Sequence, residues 1–420
     1  MNLLNTVIPL KFIFYFILLS VFPFHGAAQI VNKNGAVTTE ALQAVNKNGA
    51  IATGIGLNRF GGIVDAPLTT SVTSTTGRIW MDRNLGASRV ATSATDTLAY
   101  GDLYQWGRAT DGHQVRTSVA ITEQSSSTSP GTDFIKGSSN WYTGTDPDNL
   151  WQGVNGINNP CPSGFRLPTK AEWEAERATW SSNNTAGAWA SQLKLPLTGY
   201  RSNNNGSLNN PGSGYYWSST VSSFFSASLS HFLSIDSGAS VIGSSDLRAN
   251  GRAVRCIKNL AVGDTYQGGK IAYIFVPGDT GYVAGETHGL IVATENQSNG
   301  DGKAWNNGTN VSIGTGSAKG TGAANTTAII AAQSATTTDY AAGLARAYTG
   351  GGYTDWYLPS KEELNTLYVN KTAIGIPDTV YYSSTEVNAD KVYAQRMSDG
   401  QYFQMPKGGT GLPVRAMRTF

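Results

Sequence analysis

The sequence predicts an α+β protein made of two tandem modules, each with small mixed or antiparallel sheets, few helices and long polar loops. Three motifs recur in one order: a Leu-Pro segment, an aromatic-Ser-Ser-Thr run and a closing Val-Arg pair. They occupy 164–174, 217–220 and 254–255 in the first copy and 355–365, 382–385 and 414–415 in the second. This agreement indicates an internal repeat, and its long period favours two globular domains over a solenoid.

The first 28 residues predict a secretory signal. Lys11 precedes an uncharged apolar stretch over 12–24, which is too short to cross a bilayer of ~30 Å, and Gly26 to Ala28 suit a cleavage site. We expect a secreted product, extracellular or at the cell surface, without an integral membrane span.

Residues 29–70 form a leader with a 14-residue repeat, in which Val31 to Ala36 recurs as Val45 to Ala50. Hairpins or a β-rich stalk are one interpretation and a flexible leader is the other. The first module then covers 71–259 and the second 261–420. Upstream of the Leu-Pro motifs, Gly77-Arg78-Ile79 matches Gly269-Lys270-Ile271.

Each Leu-Pro motif predicts the start of a helix. Thr169 with Glu172, and Ser360 with Glu363, form the S/T-x-x-E capping box, in which hydroxyl and carboxylate each satisfy an orphan amide. The apolar residues that follow at helical spacing predict a core-facing stripe, made of Trp173 and Trp180 in the first copy and Leu364, Leu367 and Tyr368 in the second. A further helix is predicted over 339–348.

Composition excludes several function classes. Removing the signal leaves 29 basic (30 − 1) and 28 acidic residues, so neither nucleic acid nor an anionic membrane is an expected partner. His113, His231 and His288 are scattered without metal-ligand spacing. The glutamates near the Leu-Pro motifs are better explained as caps and a solvated helix face than as acid/base pairs. We therefore expect no enzyme.

Cys161 and Cys256 both lie in the first module, and the second copy lacks both. Their joint absence there, together with export, favours a disulfide over two free thiols or a metal site.

The first module resembles the Fibrobacter succinogenes major paralogous domain, and the second resembles the carboxyl-terminal domain of the Legionella collagen-like protein. The matching segments are 80–86, 100–108, 161–168, 199–201, 216–219 and 252–256, and then 268–271, 289–293, 355–360 and 414–416. The resemblance implies C-type-lectin-like domains with long binding loops, typical of exported proteins of Bacteroidota. Both families resemble formylglycine-generating enzymes in fold. The reactive cysteines of those enzymes are not carried over to this chain, because both of its cysteines have a structural explanation.

No metal or cofactor is expected. Calcium is the alternative, since Glu295 and Asn296 lie near Asp301, but the Glu-Pro-Asn and Gln-Pro-Asp triplets of calcium-dependent lectins are absent.

The candidate ligand-binding residues lie in the late segments of both modules. The segment 221–247 alternates aromatics with serines, which suits stacking and adaptable hydrogen bonds, although an ordinary hairpin with core phenylalanines is the alternative. The candidates are Phe224, Phe225, His231, Phe232, Asp236, Asp246, Tyr393, Arg396 and Tyr402.

These features predict a non-enzymatic, adhesin-like protein that binds a glycan or another cell-surface ligand, such as a protein, through its late loops. One alternative is a structural surface, matrix or fimbrial-type subunit that self-associates. Another is a retroelement-diversified receptor-type protein, because 217–249 contains neither Asn nor Tyr.

Overall fold

The computed structural model describes residues 70–420 except 146, 154–155, 223–227, 299, 301, 334–337 and 410, and the backbone of four short strands before residue 66. These strands form the antiparallel pairs β1–β2 and β3–β4; they are β1 Ala44–Val45, β2 Ile51–Ala52, β3 Ile55–Leu57 and β4 Ile63–Asp65. The predicted signal and the rest of the leader lie outside the described residues. The chain divides into the units Met1–Leu68 and Thr69–Phe420, and both predicted modules belong to the second unit.

The first repeat consists mainly of short strands. They are β5 Ser71–Thr73, β6 Ile79–Met81, β7 Tyr104–Gln105, β8 Ala120–Ile121, β9 Phe134–Ile135, β10 Phe165–Arg166, β11 Tyr200–Arg201, β12 Leu208–Asn209, β13 Gly214–Val221, β14 Leu229–Ile235, β15 Ser240–Leu247, β16 Gly251–Arg252 and β17 Ile257–Lys258. The helices are α1 Lys170–Arg177 and α2 Thr185–Ala190. The sheets have the orders β10-β17-β6-β5, β12-β11-β16-β7 and β13-β14-β15, and β8 pairs with β9 in parallel.

The second repeat has fewer strands and more helix. Its strands are β18 Thr265–Tyr266, β19 Gly269–Ile274, β20 Gly289–Ala293, β21 Val380–Glu386, β22 Lys391–Arg396, β23 Tyr402–Pro406 and β24 Met417–Thr419, in the orders β18-β19-β20-β24 and β21-β22-β23. Its helices are α3 Gly322–Gln333, α4 Ala341–Ala347, α5 Lys361–Val369 and α6 Lys371–Ile374. Six helices and several small antiparallel sheets among the described residues confirm the predicted α+β class; the lectin-like identity stays a prediction.

The two Leu-Pro motifs make the same hydrogen bonds to the two Ser-Ser-Thr strands. The Pro168 carbonyl accepts from the Ser219 amide at 2.8 Å, and the Pro359 carbonyl accepts from the Ser384 amide at 2.7 Å. At the first position of each helix, the backbone amide donates to a threonine hydroxyl of the strand at 2.9 Å, in the pairs Lys170–Thr220 and Lys361–Thr385. The scaffold of the repeat is therefore duplicated down to individual hydrogen bonds.

A buried tryptophan occupies the same place in each repeat. The Trp106 indole donates to the Ser218 carbonyl at 2.8 Å, and the Trp305 indole donates to the Ser383 carbonyl at 2.9 Å. A buried cation covers each ring: Arg248 over Trp106 at 4.3 Å and Lys407 over Trp305 at 4.8 Å. Both tryptophans are 0% exposed and belong to the core.

The upstream match of Gly77-Arg78-Ile79 with Gly269-Lys270-Ile271 is wrong. The strand next to the closing strand is β6 in the first repeat and β20 in the second. The Met81 amide donates to the Cys256 carbonyl at 2.9 Å, as the Ala293 amide does to the Ala416 carbonyl at 2.9 Å. The true counterpart of Ile79–Met81 is therefore 291–293, because pairing with the closing strand, and not a short Gly-basic-Ile match, defines the position.

Both capping boxes are confirmed. In α1 and α5 the hydroxyl of Thr169 or Ser360 accepts from the amide three residues on, and the carboxylate of Glu172 or Glu363 accepts in return. The predicted stripes are also core-facing: Trp173, Leu364 and Leu367 are fully buried. The helix predicted over 339–348 is α4.

Helix α3 has no counterpart among the sequence predictions. Its buried positions are mostly polar, since Asn325, Thr326 and Gln333 accompany Ile329. Asn325 bonds the Gly316 backbone at 2.7 and 2.8 Å, and the Thr326 hydroxyl accepts from the Leu358 amide at 3.0 Å. The helix thus packs through hydrogen bonds, which leaves no apolar periodicity to detect.

The predicted disulfide joins Cys161 to Cys256 and ties the loop before the Leu-Pro motif to the residue that precedes β17, the last strand of the first repeat. Both residues belong to the buried cluster around Trp106 and Trp217. The bridge therefore closes the repeat at the point where its ends meet.

Replacing both cysteines, as C161S/C256S, should lower the free energy of unfolding of the first repeat by about 4 kcal/mol, because the bridge closes a loop of 95 residues in the unfolded chain. Urea unfolding of the protein measures the loss. An unaltered urea midpoint would contradict the expectation.

Candidate ligand-binding site

The predicted site residues fall on or beside two equivalent sheets, β13-β14-β15 and β21-β22-β23. The Ser218 hydroxyl donates to the His231 carbonyl at 2.9 Å, and the Ser383 hydroxyl donates to the Tyr393 carbonyl at 2.8 Å, which makes His231 and Tyr393 counterparts. Phe224 and Phe225 lie outside the described residues. The remaining candidates divide into separate groups.

His231 and Asp236 have local structural partners. His231 is partly buried on β14, with Nδ1 3.1 Å from the Gly243 carbonyl oxygen. Asp236 is exposed at the β14–β15 turn, where its carboxylate accepts from the amides of Gly238 and Ala239 at 2.8 Å each. These bonds close the turn, and they do not bring the two side chains together.

Phe232 and Asp246 meet at a residue that the sequence did not single out, Arg252. Phe232 fits the alternative in which the phenylalanines of this segment pack in the core: its ring is 8% exposed, and the Arg252 guanidinium lies 3.7 Å from its centroid. Asp246 forms an ion pair with the same guanidinium, and its carboxylate accepts from the side-chain amide of Asn250 at 2.8 Å.

Arg252 is itself a buried cation surrounded by aromatic rings. It is 3% exposed, and besides Phe232 its guanidinium lies 4.9 to 5.4 Å from three ring centroids, those of Tyr200, Tyr215 and Trp217. Ring faces stabilise a desolvated guanidinium, and Asp246 supplies the opposite charge. Phe232 and Asp246 therefore hold the sheet to β16 and do not form an open site. The only mark of Arg252 in the sequence is its place in the Gly-Arg dipeptide just before the Val-Arg pair.

In the second repeat, Tyr393 and Tyr402 come together around Lys361. Both rings are partly exposed, with centroids 6.5 Å apart and planes at 80°. The Lys361 ammonium lies 4.3 Å from the Tyr393 centroid and 4.7 Å from the Tyr402 centroid. The Tyr402 hydroxyl donates to the Lys361 carbonyl at 3.3 Å. Burial, followed by the Glu362 charge, raises the pKa of Tyr402, so its hydroxyl stays protonated at neutral pH.

Arg396 belongs to a separate place. It pairs with Asp399 across the β22–β23 turn and covers the Phe403 ring at 5.1 Å. The structure thus groups two of the three candidates from the second repeat, and it adds Lys361, which the sequence identified only as the residue after a helix cap.

Lys361 differs from its counterpart in the first repeat. The Lys170 ammonium pairs with Glu174 at 2.7 Å, one helical turn on. Asn365 replaces that glutamate in the second repeat and accepts from the Gln395 side chain at 2.9 Å. Within the described part of the chain, the Lys361 ammonium has no carboxylate partner. Its charge is available beside two aromatic rings.

The two capping glutamates also differ in their electrostatics. Burial alone would raise the pKa of Glu172, but the charges of Arg166 and Arg78 lower it to about 2. Burial raises the pKa of Glu363, where the counterpart of Arg166 is Tyr357, whose hydroxyl donates to the carboxylate at 3.3 Å. Both carboxylates are capping groups held inside the protein.

The first repeat meets the second around two cavities of about 470 and 230 Å³. The Arg78 guanidinium covers the Tyr266 ring at 5.7 Å, and Lys258 pairs with Asp264 at 2.9 Å across the join. The cavities contain none of the predicted site residues. The Arg78–Tyr266 and Lys258–Asp264 contacts hold the two repeats against each other.

Several negative findings apply to the described residues alone. Among them, no three His, Cys, Asp or Glu side chains cluster as metal ligands, and no helix is long and apolar enough to span a membrane. Of the residues considered for calcium, Asn296 accepts from the Tyr381 hydroxyl at 3.0 Å, while Asp301 lies outside the described residues.

Comparison with known proteins finds no family model that matches the chain and no curated protein that matches it.

The two capping glutamates should respond to pH with opposite signs. E172Q should destabilise the protein at pH 7 by about 3 kcal/mol, because it leaves buried arginines without their carboxylate. Because the pKa of Glu172 is lower in the folded than in the unfolded protein, its ionised carboxylate stabilises the fold above pH 4.5, which is the unfolded-state pKa. This stabilisation is lost as the pH falls towards 2. The difference from wild type should therefore shrink between pH 4.5 and 2.

E363Q is the matched control. Because the pKa of Glu363 is higher in the folded than in the unfolded protein, ionisation of its carboxylate lowers the stability of the fold as the pH rises above 4.5. E363Q should therefore gain stability relative to wild type between pH 4.5 and 7. Urea unfolding at pH 3, 5 and 7 measures both trends; trends of the same sign in the two variants would refute this account.

Proposed function

We propose that the protein is a secreted, non-enzymatic binding protein that recognises a glycan or another cell-surface ligand through lectin-like modules. The observation that carries the proposal is the group formed by Tyr393, Tyr402 and Lys361 on the late sheet of the second repeat. Two partly exposed rings and an ammonium without a carboxylate partner present both stacking faces and hydrogen-bond donors.

The chemistry of this group suits sugars better than a reaction. Aromatic faces stack on the apolar faces of sugar rings, and lysine donates to hydroxyl or carboxylate oxygens. Two buried carboxylates with shifted pKa values, those of Glu172 and Glu363, have a structural role, because they cap helices. His113 is fully buried and bonds Asp111, and burial lowers its pKa to about 4.

The comparison between repeats supports the same conclusion. The buried hydrogen bonds of the scaffold are duplicated, while the surface beside the helix start has changed from Lys170, Glu174 and His231 to Lys361, Asn365 and Tyr393. A surface that diverges on a retained scaffold is the arrangement expected of a binding module, since loops and faces carry function on a fixed framework.

Truncating the tyrosines should weaken binding without unfolding the protein. Y393A and Y402A should each raise Kd about 2- to 10-fold, which is the value of one stacked ring. Binding is measured by screening the mature protein on a panel of plant, bacterial and animal glycans and then by calorimetry with the best ligand.

H231A is the control, because His231 is the counterpart of Tyr393 in the first repeat, and it should leave Kd unchanged. Thermal unfolding verifies that all three variants fold. Undiminished binding by Y393A/Y402A would remove this surface from the function.

A further inference from the structure

The second repeat carries a row of side chains on the face of β22 and β23 that meets the start of α5, and we call this row the tyrosine–lysine strip. It consists of Lys391, Tyr393, Gln404, Tyr402 and Lys361. Tyr393 is paired with Gln404 and Lys391 lies two residues before it, so these side chains share one face. Tyr402 pairs with Gln395 on the same face, and Lys361 joins from the start of α5.

The strip is long and shallow. The strip runs from Lys391, which is level with Pro406, to Tyr402 four residues before Pro406 on β23, a span of about 13 Å at ~3.3 Å per residue. Lys391 and Gln404 are exposed, and the two tyrosines and Lys361 are partly exposed. An extended surface of this kind suits the middle of a chain molecule better than a single sugar held in a pocket.

The charge of the strip is positive. In the residues that the structure describes, neither the Lys361 nor the Lys391 ammonium lies within ion-pair distance of a carboxylate. The Glu362 carboxylate, whose charge contributes to the raised pKa of Tyr402, accepts from the Lys319 backbone amide at 3.1 Å and forms no ion pair with Lys361. Two unpaired ammonium groups therefore flank two tyrosine rings.

The equivalent face of the first repeat is different. Lys170 is neutralised by Glu174, the counterpart of Tyr393 is His231, and Ser245 is paired with His231. That face has neither the unpaired charge nor the two rings. It provides an internal comparison on the same scaffold.

We propose, building on the binding function above, that the tyrosine–lysine strip recognises an acidic polysaccharide. Carboxylate or sulfate groups meet Lys361 and Lys391, while sugar rings stack on Tyr393 and Tyr402 and the Gln404 amide bonds ring hydroxyls. The aromatic faces favour a polymer of sugar rings over a plain acidic peptide, and nucleic acid is one of the outcomes that the test separates.

The test uses the whole mature protein and two matched pairs of polymers: polygalacturonate with its methyl ester, and dextran sulfate with dextran. Each pair holds the sugar backbone constant and changes the charge, so the wild-type protein alone answers the question. We expect binding to at least one charged polymer, at least 10-fold weaker binding to its neutral partner, and weaker binding as salt rises. The preferred pair distinguishes carboxylate from sulfate.

The variants locate the effect. K361M/K391M should weaken binding to the charged polymer about 5- to 10-fold, as expected for two solvent-exposed ionic contacts. K391M alone changes an exposed side chain and should retain the native unfolding temperature with part of the loss. K170M is the matched control in the first repeat and should bind as wild type.

Other outcomes overturn the proposal in distinguishable ways. Equal binding to charged and neutral partners would reject the acidic ligand while leaving the binding function standing. The same loss in K170M as in K361M/K391M would show general charge attraction and reject the strip. Binding of an acidic protein or nucleic acid in preference to these polymers would reject the ligand class. No binding to any glycan would reject the proposed function itself.

Discussion

The junction between the Leu-Pro motif and the Ser-Ser-Thr strand is the interaction on which the rest of each repeat depends. One backbone bond joins the proline carbonyl to the strand, and one threonine hydroxyl accepts from the first amide of the helix. The prolines and serines of the backbone bonds are buried, and an unpaired buried donor or acceptor costs about 1 to 3 kcal/mol. The helix start and the strand register are therefore fixed together, since a slip by one residue would turn every strand side chain to the opposite face.

A scaffold fixed in this way leaves a small set of positions free to change. Beside the junction, the residue after the helix cap is a lysine in both repeats, but its environment differs because Glu174 corresponds to Asn365 and His231 corresponds to Tyr393. The first repeat neutralises its lysine and the second surrounds it with tyrosines. The structural positions and the positions that we propose for ligand binding are thus only a few residues apart.

The features that could be predicted were those that depend on near neighbours in the chain. A capping box needs residues three apart, so both helix starts were correct, whereas α3 was missed because Asn325 and Thr326 pack it through distant partners. The role of Arg252 and the burial of Phe232 depend on contacts of β16 with four other strands of the first repeat, β11, β13, β14 and β15. Sequence alternation alone could not separate an exposed phenylalanine from one beneath a buried cation.

The sequence by itself determined the duplication, the two capped helices, the coarse α+β class and the pairing of the two cysteines, because each rests on local spacing or on a comparison between the copies. Tertiary structure decided which late residues meet. Tyr393, Tyr402 and Lys361 lie on two strands and a helix, and they form one surface only because the antiparallel register of β22 and β23 places both rings beside the helix start. Register and helix docking are set by hydrogen bonds between distant segments, and no local pattern encodes them.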